Sequence, residues 1–243
     1  INSDGQNITA IISQLVDSAL LRYSKDVLAR PDYALFSSGG RVIPSLTSPT
    51  YSIQSTASNS KLYSLFFGSS SIIGRPPVTA LHPDNSLGSC WSFSGSYGQL
   101  GILLSRRVIP SDISIEHASI EVALDGELSS APKEFELWGV VEDVDDLKRL
   151  AEYRDQIVLA GSEEDLIASM PDTPNHILLA SGSYDIASSS TPIQSFPVTT
   201  AARALGIPVG VVVLKILSNH GEARYTCLYR VRISGATIAA ATF

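Results

Sequence analysis

Cysteine and histidine are the residues of this chain with the most reactive side chains, and both are scarce. The 243 residues include two cysteines, Cys90 and Cys227, and four histidines. A thiolate beside an imidazole is a nucleophile at neutral pH, and Cys90 with His220 could supply such a pair. Cys-x-x-Cys spacing is missing, so the two cysteines predict no zinc site. Three alternatives stay open for them: one long-range disulfide, two buried thiols, or a nucleophile and a bystander.

The segment Gly88–Trp91 resembles the nucleophile loop of papain-type proteases, whose local signature is Cys-Gly-Ser-Cys-Trp. His220 follows about 130 residues later, within the interval at which that family places its base. Two departures weaken the resemblance: Leu87 replaces the first Cys of the signature, and Asp84 stands where the oxyanion-hole Gln would be. A papain-like cysteine protease is therefore a remote alternative. The chain has no Gly-x-Ser-x-Gly elbow, phosphate-binding glycine loop or His-Glu-x-x-His motif.

Composition and charge exclude several classes of protein. Apolar residues make up 44% of the chain and charged residues 17%, which excludes a charge-driven disordered protein. The net charge of −7 argues against nucleic acid as the main partner, because phosphate binding needs a cationic face. The longest run without a polar side chain, Ala204–Leu214, is too short for a bilayer span of about 20 residues. Because Ile1 is not an initiator methionine, we expect a piece of a longer protein.

The apolar pattern predicts an N-terminal helix followed by an all-β sandwich. Within residues 1–30, four apolar residues recur at helical spacing: Ile8, Ile12, Leu15 and Ala19. This helix either ends an upstream coiled coil or packs on its own domain, and Pro31 forbids its continuation. Further along, short runs rich in Val, Ile and Leu predict strands: Leu100–Ile109, Asp112–His117, Glu134–Val141, His176–Tyr184, Ile207–Leu217 and Thr226–Ile233. Strict alternation over Asp112–Glu116 predicts a strand with one face buried, whereas Val144–Met170 has helical spacing and predicts a helical excursion.

Five sequence blocks, taken together, resemble a SUN domain. They keep the order and approximate spacing of that family between Tyr23 and Gly235, at residues 32–40, 90–95, 115–117, 129–135 and 225–230. The blocks Ser-Ser-Ala-Pro-Lys-Glu-Phe (129–135) and Tyr-Thr-Cys-Leu-Tyr-Arg (225–230) are specific motifs. The resemblance implies that residues 31–243 form a SUN-domain β-sandwich, and that the papain signature is a coincidence.

The same resemblance implies a function. SUN domains lie at the C-terminus of inner-nuclear-membrane proteins, after a membrane span and a coiled coil, and face the perinuclear space. They form homotrimers and bind the C-terminal peptides of KASH proteins of the outer nuclear membrane. The resulting LINC complex tethers nucleus to cytoskeleton without catalysis. We therefore expect a KASH-binding tether and not an enzyme.

The resemblance also assigns a disulfide and a cation loop. Because the perinuclear space is oxidising, Cys90 and Cys227 are expected to be bonded to each other. Residues 79–90 resemble the family's cation loop, in which backbone carbonyls hold a monovalent cation such as potassium. The matching positions, with Tyr229 nearby, are Thr79, His82, Asp84 and Ser89. The family usually has Asn where this chain has Ser89.

A peptide carboxylate needs converging hydrogen-bond donors, and by resemblance these are His117, Ser130, Tyr225 and Tyr229. Alternatively, the two tyrosines pack the sandwich as same-face residues of one strand. Residues 51–76 resemble the KASH lid, along which the rest of the peptide would bind by β-strand addition. The predicted apolar lid contacts are Leu62, Leu65, Phe66 and Phe67.

Two departures from the animal members of the family bear on function. Thr47 occupies the position of a cysteine that many of them join covalently to KASH, so we expect no such link. Residues 148–175 are interpreted as an insertion typical of fungal relatives. A glycan-binding β-sandwich is the main alternative function; it predicts retention on sugar and indifference to peptide.

Overall fold

The computed structural model describes residues 12–13, 28, 30–54, 71–123, 127–160, 174–187 and 191–237. The chain divides into two units, Ile1–Pro31 and Asp32–Phe243. In the first unit, Ile12 is helical, as the apolar spacing predicts. The other three positions of the predicted apolar stripe lie outside the described residues. No helix within the described ranges is long and apolar enough to cross a membrane.

The second unit is an antiparallel β-sandwich. Its strands are β1 (Arg41–Val42), β2 (Ser52–Gln54), β3 (Ser71–Ile73), β4 (Trp91–Ser94), β5 (Gly98–Glu116), β6 (Glu134–Val140), β7 (His176–Ser183), β8 (Ile193–Pro197), β9 (Val209–Ile216), β10 (Tyr225–Leu228) and β11 (Arg230–Thr237). Within the described ranges two α-helices interrupt this order, α1 (Val144–Ala160) and α2 (Thr200–Leu205). Short 3-10 turns lie at Phe36–Ser38, Pro44–Leu46 and Pro77–Leu81.

The long strand β5 organises the main sheet, whose order is β1-β5-β9-β6-β7. Its first half pairs with β1 and β9, and its second half pairs with β8 and β11. The register with β9 is irregular between Leu103 and Val108, where the strand passes from one set of partners to the other. His117, which directly follows β5, is therefore held by a strand that pairs with β8 on one side and β11 on the other.

Proline within β5 explains why two strands were predicted, Leu100–Ile109 and Asp112–His117, where the structure has one. Proline lacks a backbone N–H and is confined to edges and bulges of sheets. Here Pro110 lies opposite Gly235, at a shift in the register between β5 and β11. A Cβ atom on Gly235 would lie 2.4 Å from the carbonyl oxygen of Ile109, so this close approach requires glycine. The prediction of two strands is wrong because the bulge accommodates the proline.

The other predicted strands are confirmed with small changes of boundary. Strands β6, β7 and β9 correspond to Glu134–Val141, His176–Tyr184 and Ile207–Leu217. The predicted run Thr226–Ile233 is instead two strands, β10 and β11, with Tyr229 between them. The strands β4 and β8 and the helix α2 were not predicted.

The polar face of Asp112–Glu116 is buried, so the predicted half-exposed strand is wrong. Its polar side chains meet partners from other elements instead of water: Ser114 shares a hydrogen bond of 2.7 Å with Ser195 of β8. The carboxylate of Glu116 accepts from Arg232 of β11 and from Asn85. A buried polar group needs such partners to offset its lost hydration.

The buried ion network continues to the start of the domain. Arg230 lies 3.2 Å from the Asp32 carboxylate and 3.8 Å from Glu116, and the three side chains are 5% exposed or less. Burial raises the pKa of Asp32, which the Arg230 charge opposes. The network therefore joins the first residue of the domain to the strand that ends beside His117.

A second, smaller sheet supports the segment predicted as a lid. Strands β4 and β10 pair with each other, and bridges join Thr50 to Phe93 and Arg75 to Trp91. Strands β2 and β3 pair as the two arms of a hairpin. Trp91 and Phe93 of β4 are fully buried, so the residues that flank the hairpin are bridged to the hydrophobic core.

Helix α1 begins at Val144, where the sequence predicts it. The carboxylate of Asp143 accepts the backbone N–H groups of Asp145 and Asp146, as an N-cap residue does. The helix extends to Ala160, and the rest of the predicted helical segment, up to Met170, lies outside the described residues. The predicted insertion at 148–175 therefore starts inside this helix.

Candidate functional site

A groove of about 650 Å³ brings together segments that are far apart in the sequence. It is lined by all four side chains predicted to hold a carboxylate: His117, Ser130, Tyr225 and Tyr229. The histidine directly follows β5, the serine lies in the loop before β6, and the tyrosines begin and directly follow β10. Both cysteines and the base of the hairpin line the same groove.

His117 is buried in the groove wall, with 4% of its surface exposed. Its Nδ1 lies 3.4 Å from the carbonyl oxygen of Ala118, and its ring packs against the Tyr229 ring with centroids 4.7 Å apart. Burial lowers the pKa of His117 to about 4, and the nearby His220 acts in the same direction. The imidazole is therefore neutral at pH 7. Its Nε2 is buried without a hydrogen-bond partner in the described part of the chain.

The Tyr229 hydroxyl connects the groove to the loop 79–90. Its oxygen accepts the backbone N–H of Gly88 at 3.1 Å, which leaves the hydroxyl proton for a ligand. Gly88 has a φ of 79°, a backbone conformation that side-chain-bearing residues rarely adopt. The side chain of Arg75 donates to the Gly88 carbonyl oxygen at 3.0 Å, so both polar groups of this glycine are held in place.

The hydroxyls of Ser130 and Tyr225 make no hydrogen bond to another described residue. The backbone of Ser130 is nevertheless fixed, since its carbonyl oxygen accepts the Cys227 N–H at 2.8 Å. The Tyr225 ring packs against Tyr51 with centroids 5.3 Å apart. Two hydroxyl groups among the residues that line the groove therefore have no hydrogen-bond partner in the described ranges.

A charged pair borders the Tyr225 end of the groove. Arg224 makes two hydrogen bonds to Glu222, of 2.9 and 3.1 Å, and its guanidinium lies 5.7 Å from the centre of the Tyr225 ring. The hydrogen bonds from Arg224 lower the pKa of Glu222 to about 2 and raise the pKa of Arg224. The pair stays ionised over the physiological range of pH.

Cys90 and Cys227 form a disulfide, as the resemblance implies. The bond joins the end of the loop 79–90 to β10, and both residues are 8% exposed. With Cys90 in a disulfide, the thiol that a papain-like protease needs as its nucleophile is not available. His220 Nε2 lies instead 2.9 Å from the carbonyl oxygen of Tyr184.

Comparison with known proteins identifies the family. The family model described as Sad1/UNC-like C-terminal matches residues 72–157 and 163–237, which is well over half of the chain. The chain therefore belongs to the SUN-domain family. The match includes every described residue of the groove apart from Tyr51, and it is interrupted only at 158–162, within the segment interpreted as an insertion.

The chain is similar to several animal SUN-domain proteins. SUN domain-containing protein 3 of Bos taurus is 33% identical over 237 residues, which cover 96% of this chain and 55% of that protein. SUN domain-containing protein 2 of Mus musculus is 31% identical over 224 residues, covering 92% of this chain and 25% of that protein. The chain spans about half the length of the type-3 relatives that it matches.

One solved structure to which this chain is similar is the family 32 carbohydrate-binding module of Streptococcus pneumoniae EndoD. It is 12% identical, covers 84% of this chain and 99% of its own, and has a TM-score of 0.47. Similarity at this level does not bear on the ligand.

The loop 79–90 of this SUN domain is held by its own polar side chains. The Asp84 carboxylate accepts from the backbone and hydroxyl of Ser86 and from the Ser89 hydroxyl. These hydrogen bonds lower the pKa of Asp84. The Thr79 carbonyl oxygen accepts the His82 N–H, and the His82 ring stacks on Phe36. The described residues contain no cluster of His, Cys, Asp and Glu suited to a metal ion, so a cation here would depend on carbonyl oxygens.

The lid is described only at its base. Tyr51 donates its N–H to the Ser92 carbonyl oxygen at 2.8 Å, and Gly74 donates to the Tyr51 carbonyl oxygen at 3.0 Å. Ile73 lines the groove with 67% of its surface exposed. The predicted apolar contacts Leu62, Leu65, Phe66 and Phe67 lie outside the described residues.

Sequence reasoning did not single out Tyr51, Arg75 and Glu222, which line the groove, or Arg224, which lies beside Tyr225. Arg75 is the one cationic side chain among the described residues that line the groove. The motif comparison could have found it, because it lies within the predicted lid. The Glu222–Arg224 pair has no sequence signal of its own, since its position depends on the turn before β10.

Proposed function

We propose that this SUN domain binds the C-terminal peptide of a KASH protein in the groove between β10, the loop before β6 and the lid. One observation carries the proposal: three segments chosen from sequence motifs alone, around His117, Ser130 and Tyr225–Tyr229, line one groove. The domain would lie in the perinuclear space, in a protein of the inner nuclear membrane. It would tether that membrane to the outer one without catalysis.

The peptide carboxylate binds at the hydroxyls of Ser130, Tyr225 and Tyr229. A carboxylate accepts several hydrogen bonds, and hydroxyl donors satisfy it without a buried cation. Arg224 adds a favourable charge beside Tyr225, although its pairing with Glu222 reduces that contribution. The groove is therefore specific for an acceptor-rich chain end.

The rest of the peptide extends along the lid by β-strand addition. The hairpin β2–β3 offers strand edges, and the exposed Ile73 offers an apolar contact. The proposed apolar contacts of the peptide in the lid are Leu62, Leu65, Phe66 and Phe67. The Thr47 hydroxyl donates to the Ile43 carbonyl oxygen and accepts from Gly101 N–H, so this position supports the sheet and not a covalent link.

The proposed assembly is a homotrimer, with a monovalent cation such as potassium bracing the loop 79–90. Carbonyl oxygens of Thr79, His82, Asp84 and Ser89 would hold the cation. The loop reaches the carboxylate site through the hydrogen bond from Gly88 to Tyr229. Sedimentation velocity of the full chain measures its oligomeric state and so tests the homotrimer. The same measurement in potassium and in a cation too large for the loop tests whether the bound cation matters for that assembly.

Calorimetric titration of the full chain with synthetic KASH C-terminal peptides tests the function. A free carboxylate should bind, and amidation should weaken binding roughly 10- to 100-fold, because hydrogen bonds to a charged group are lost. Ser130→Ala and Tyr225→Phe should each weaken only the free-acid peptide. Tyr97→Phe is the matched control, since Tyr97 is 61% exposed and does not line the groove. Equal binding of acid and amide, or retention on sugars without peptide binding, would refute the proposal.

A further inference from the structure

The ring nitrogens of His117 have different surroundings, and this difference decides what the residue can bind. Nδ1 lies 3.4 Å from the Ala118 carbonyl oxygen, which only accepts hydrogen bonds. Nε2 is buried and has no partner among the described residues, and His117 is one of the residues that line the groove. Buried polar atoms without a partner are rare in native proteins and call for an explanation.

The proton of the neutral ring belongs on Nδ1. A neutral imidazole carries one N–H, and a bare Nδ1 would place two lone pairs against each other at the carbonyl of Ala118. Among the described residues, the rings of Tyr184 and Tyr229 pack against the imidazole and His220 acts on its charge, and none of the three is a carboxylate. The Tyr184 hydroxyl is engaged with the Pro192 carbonyl oxygen at 2.8 Å, so it does not donate to the imidazole. Nε2 therefore carries a lone pair with no partner among the described residues, on a ring that belongs to the groove lining.

We infer that His117 accepts a backbone N–H of the bound peptide and does not hold its carboxylate. This inference rests on the proposed function and changes the role expected from the family resemblance. Two acceptors, a carboxylate oxygen and the Nε2 lone pair, cannot hydrogen bond to each other. An amide N–H of an extended peptide is a donor of the required kind, and it would give Nε2 the hydrogen-bond partner that it lacks among the described residues.

The consequence is a specificity rule at one position of the peptide. The residue whose N–H meets His117 cannot be proline, which has no N–H, and it cannot be N-methylated. The carboxylate is then left to the hydroxyls of Ser130, Tyr225 and Tyr229. Histidine and hydroxyls thus recognise different groups on the same peptide.

An ester scan measured against two proteins tests the assignment. A KASH peptide that binds in the titration is remade with each of its C-terminal amides replaced in turn by an ester, which removes one N–H. In the natural protein the ester at the position that meets His117 should weaken binding about three- to tenfold, as expected for one hydrogen bond. In His117→Leu the same ester should cost nothing further. Amidation of the carboxylate should weaken binding by the same factor in both proteins.

Two results would overturn the inference: no ester position that couples to His117, or an amidation effect that shrinks in His117→Leu. Nitrogen NMR of the unaltered protein with labelled histidine avoids any loss of folding in the variant. It should show the proton on Nδ1 at pH 7, and a proton on Nε2 would refute the argument. If no free-acid peptide binds, the proposed function fails as well; binding without coupling to His117 overturns this inference alone.

Discussion

Lowering the pH should destabilise this domain through His117. In the unfolded chain a histidine takes up a proton near pH 6.5, whereas burial holds the pKa of the folded His117 at about 4. The unfolded state therefore binds the proton first as the pH falls. Stability is complete above about pH 6.5, decreases through the window down to about pH 4, and is not affected further by this group below it.

The magnitude follows from the two pKa values. At about 1.4 kcal/mol per pKa unit, the difference between 6.5 and about 4 amounts to about 3 kcal/mol. Because the side chain is 4% exposed, solvent screening reduces this value little. A domain with a net stability of about 5–15 kcal/mol would lose a large part of it.

Chemical unfolding at a series of pH values measures the effect. The free energy of unfolding of the natural protein, minus that of His117→Gln, should fall by about 3 kcal/mol between pH 7 and pH 4. Burial also lowers the pKa of His176, but the subtraction removes that contribution. His82→Gln, whose ring stacks at Phe36 outside the groove, is the matched control for loss of a histidine. A difference that stays flat over this window would refute the claim that His117 is buried and neutral.

Three further substitutions probe the scaffold of the groove. Replacing Cys90 and Cys227 by serine should lower the free energy of unfolding in guanidinium by about 2–5 kcal/mol, because the disulfide no longer restricts the unfolded chain. The natural protein with its disulfide reduced should match the variant. Gly88→Ala should lower thermal stability by about 1 kcal/mol, since its φ of 79° strains any residue with a Cβ, and an unchanged midpoint would contradict this. Glu116→Gln should cost about 3–5 kcal/mol in urea, because it removes the carboxylate charge that pairs with the buried Arg232 and Arg230. A loss under about 1 kcal/mol would show that the network is not stabilising.

Sequence motifs located the groove better than strand patterns located the strands. The blocks around Ser130 and Tyr225 mark chemistry that needs particular residues, and those residues line one groove. Strand patterns depend on context. Pro110 reads as a strand end, yet β5 continues through it because Gly235 on the partner strand allows a bulge.

The amino-acid sequence by itself determined the class of fold, the positions of β6, β7 and β9, the start of α1 and the motifs that meet in the groove. These depend on β-branched runs, capping residues and motifs whose signals are local. The tertiary structure alone decided that the polar face of Asp112–Glu116 is buried and that His117 Nε2 has no partner among the described residues. Burial and hydrogen bonding at these sites are set by residues such as Arg232 and Tyr229, more than a hundred positions away in the chain, and no local pattern records such partners.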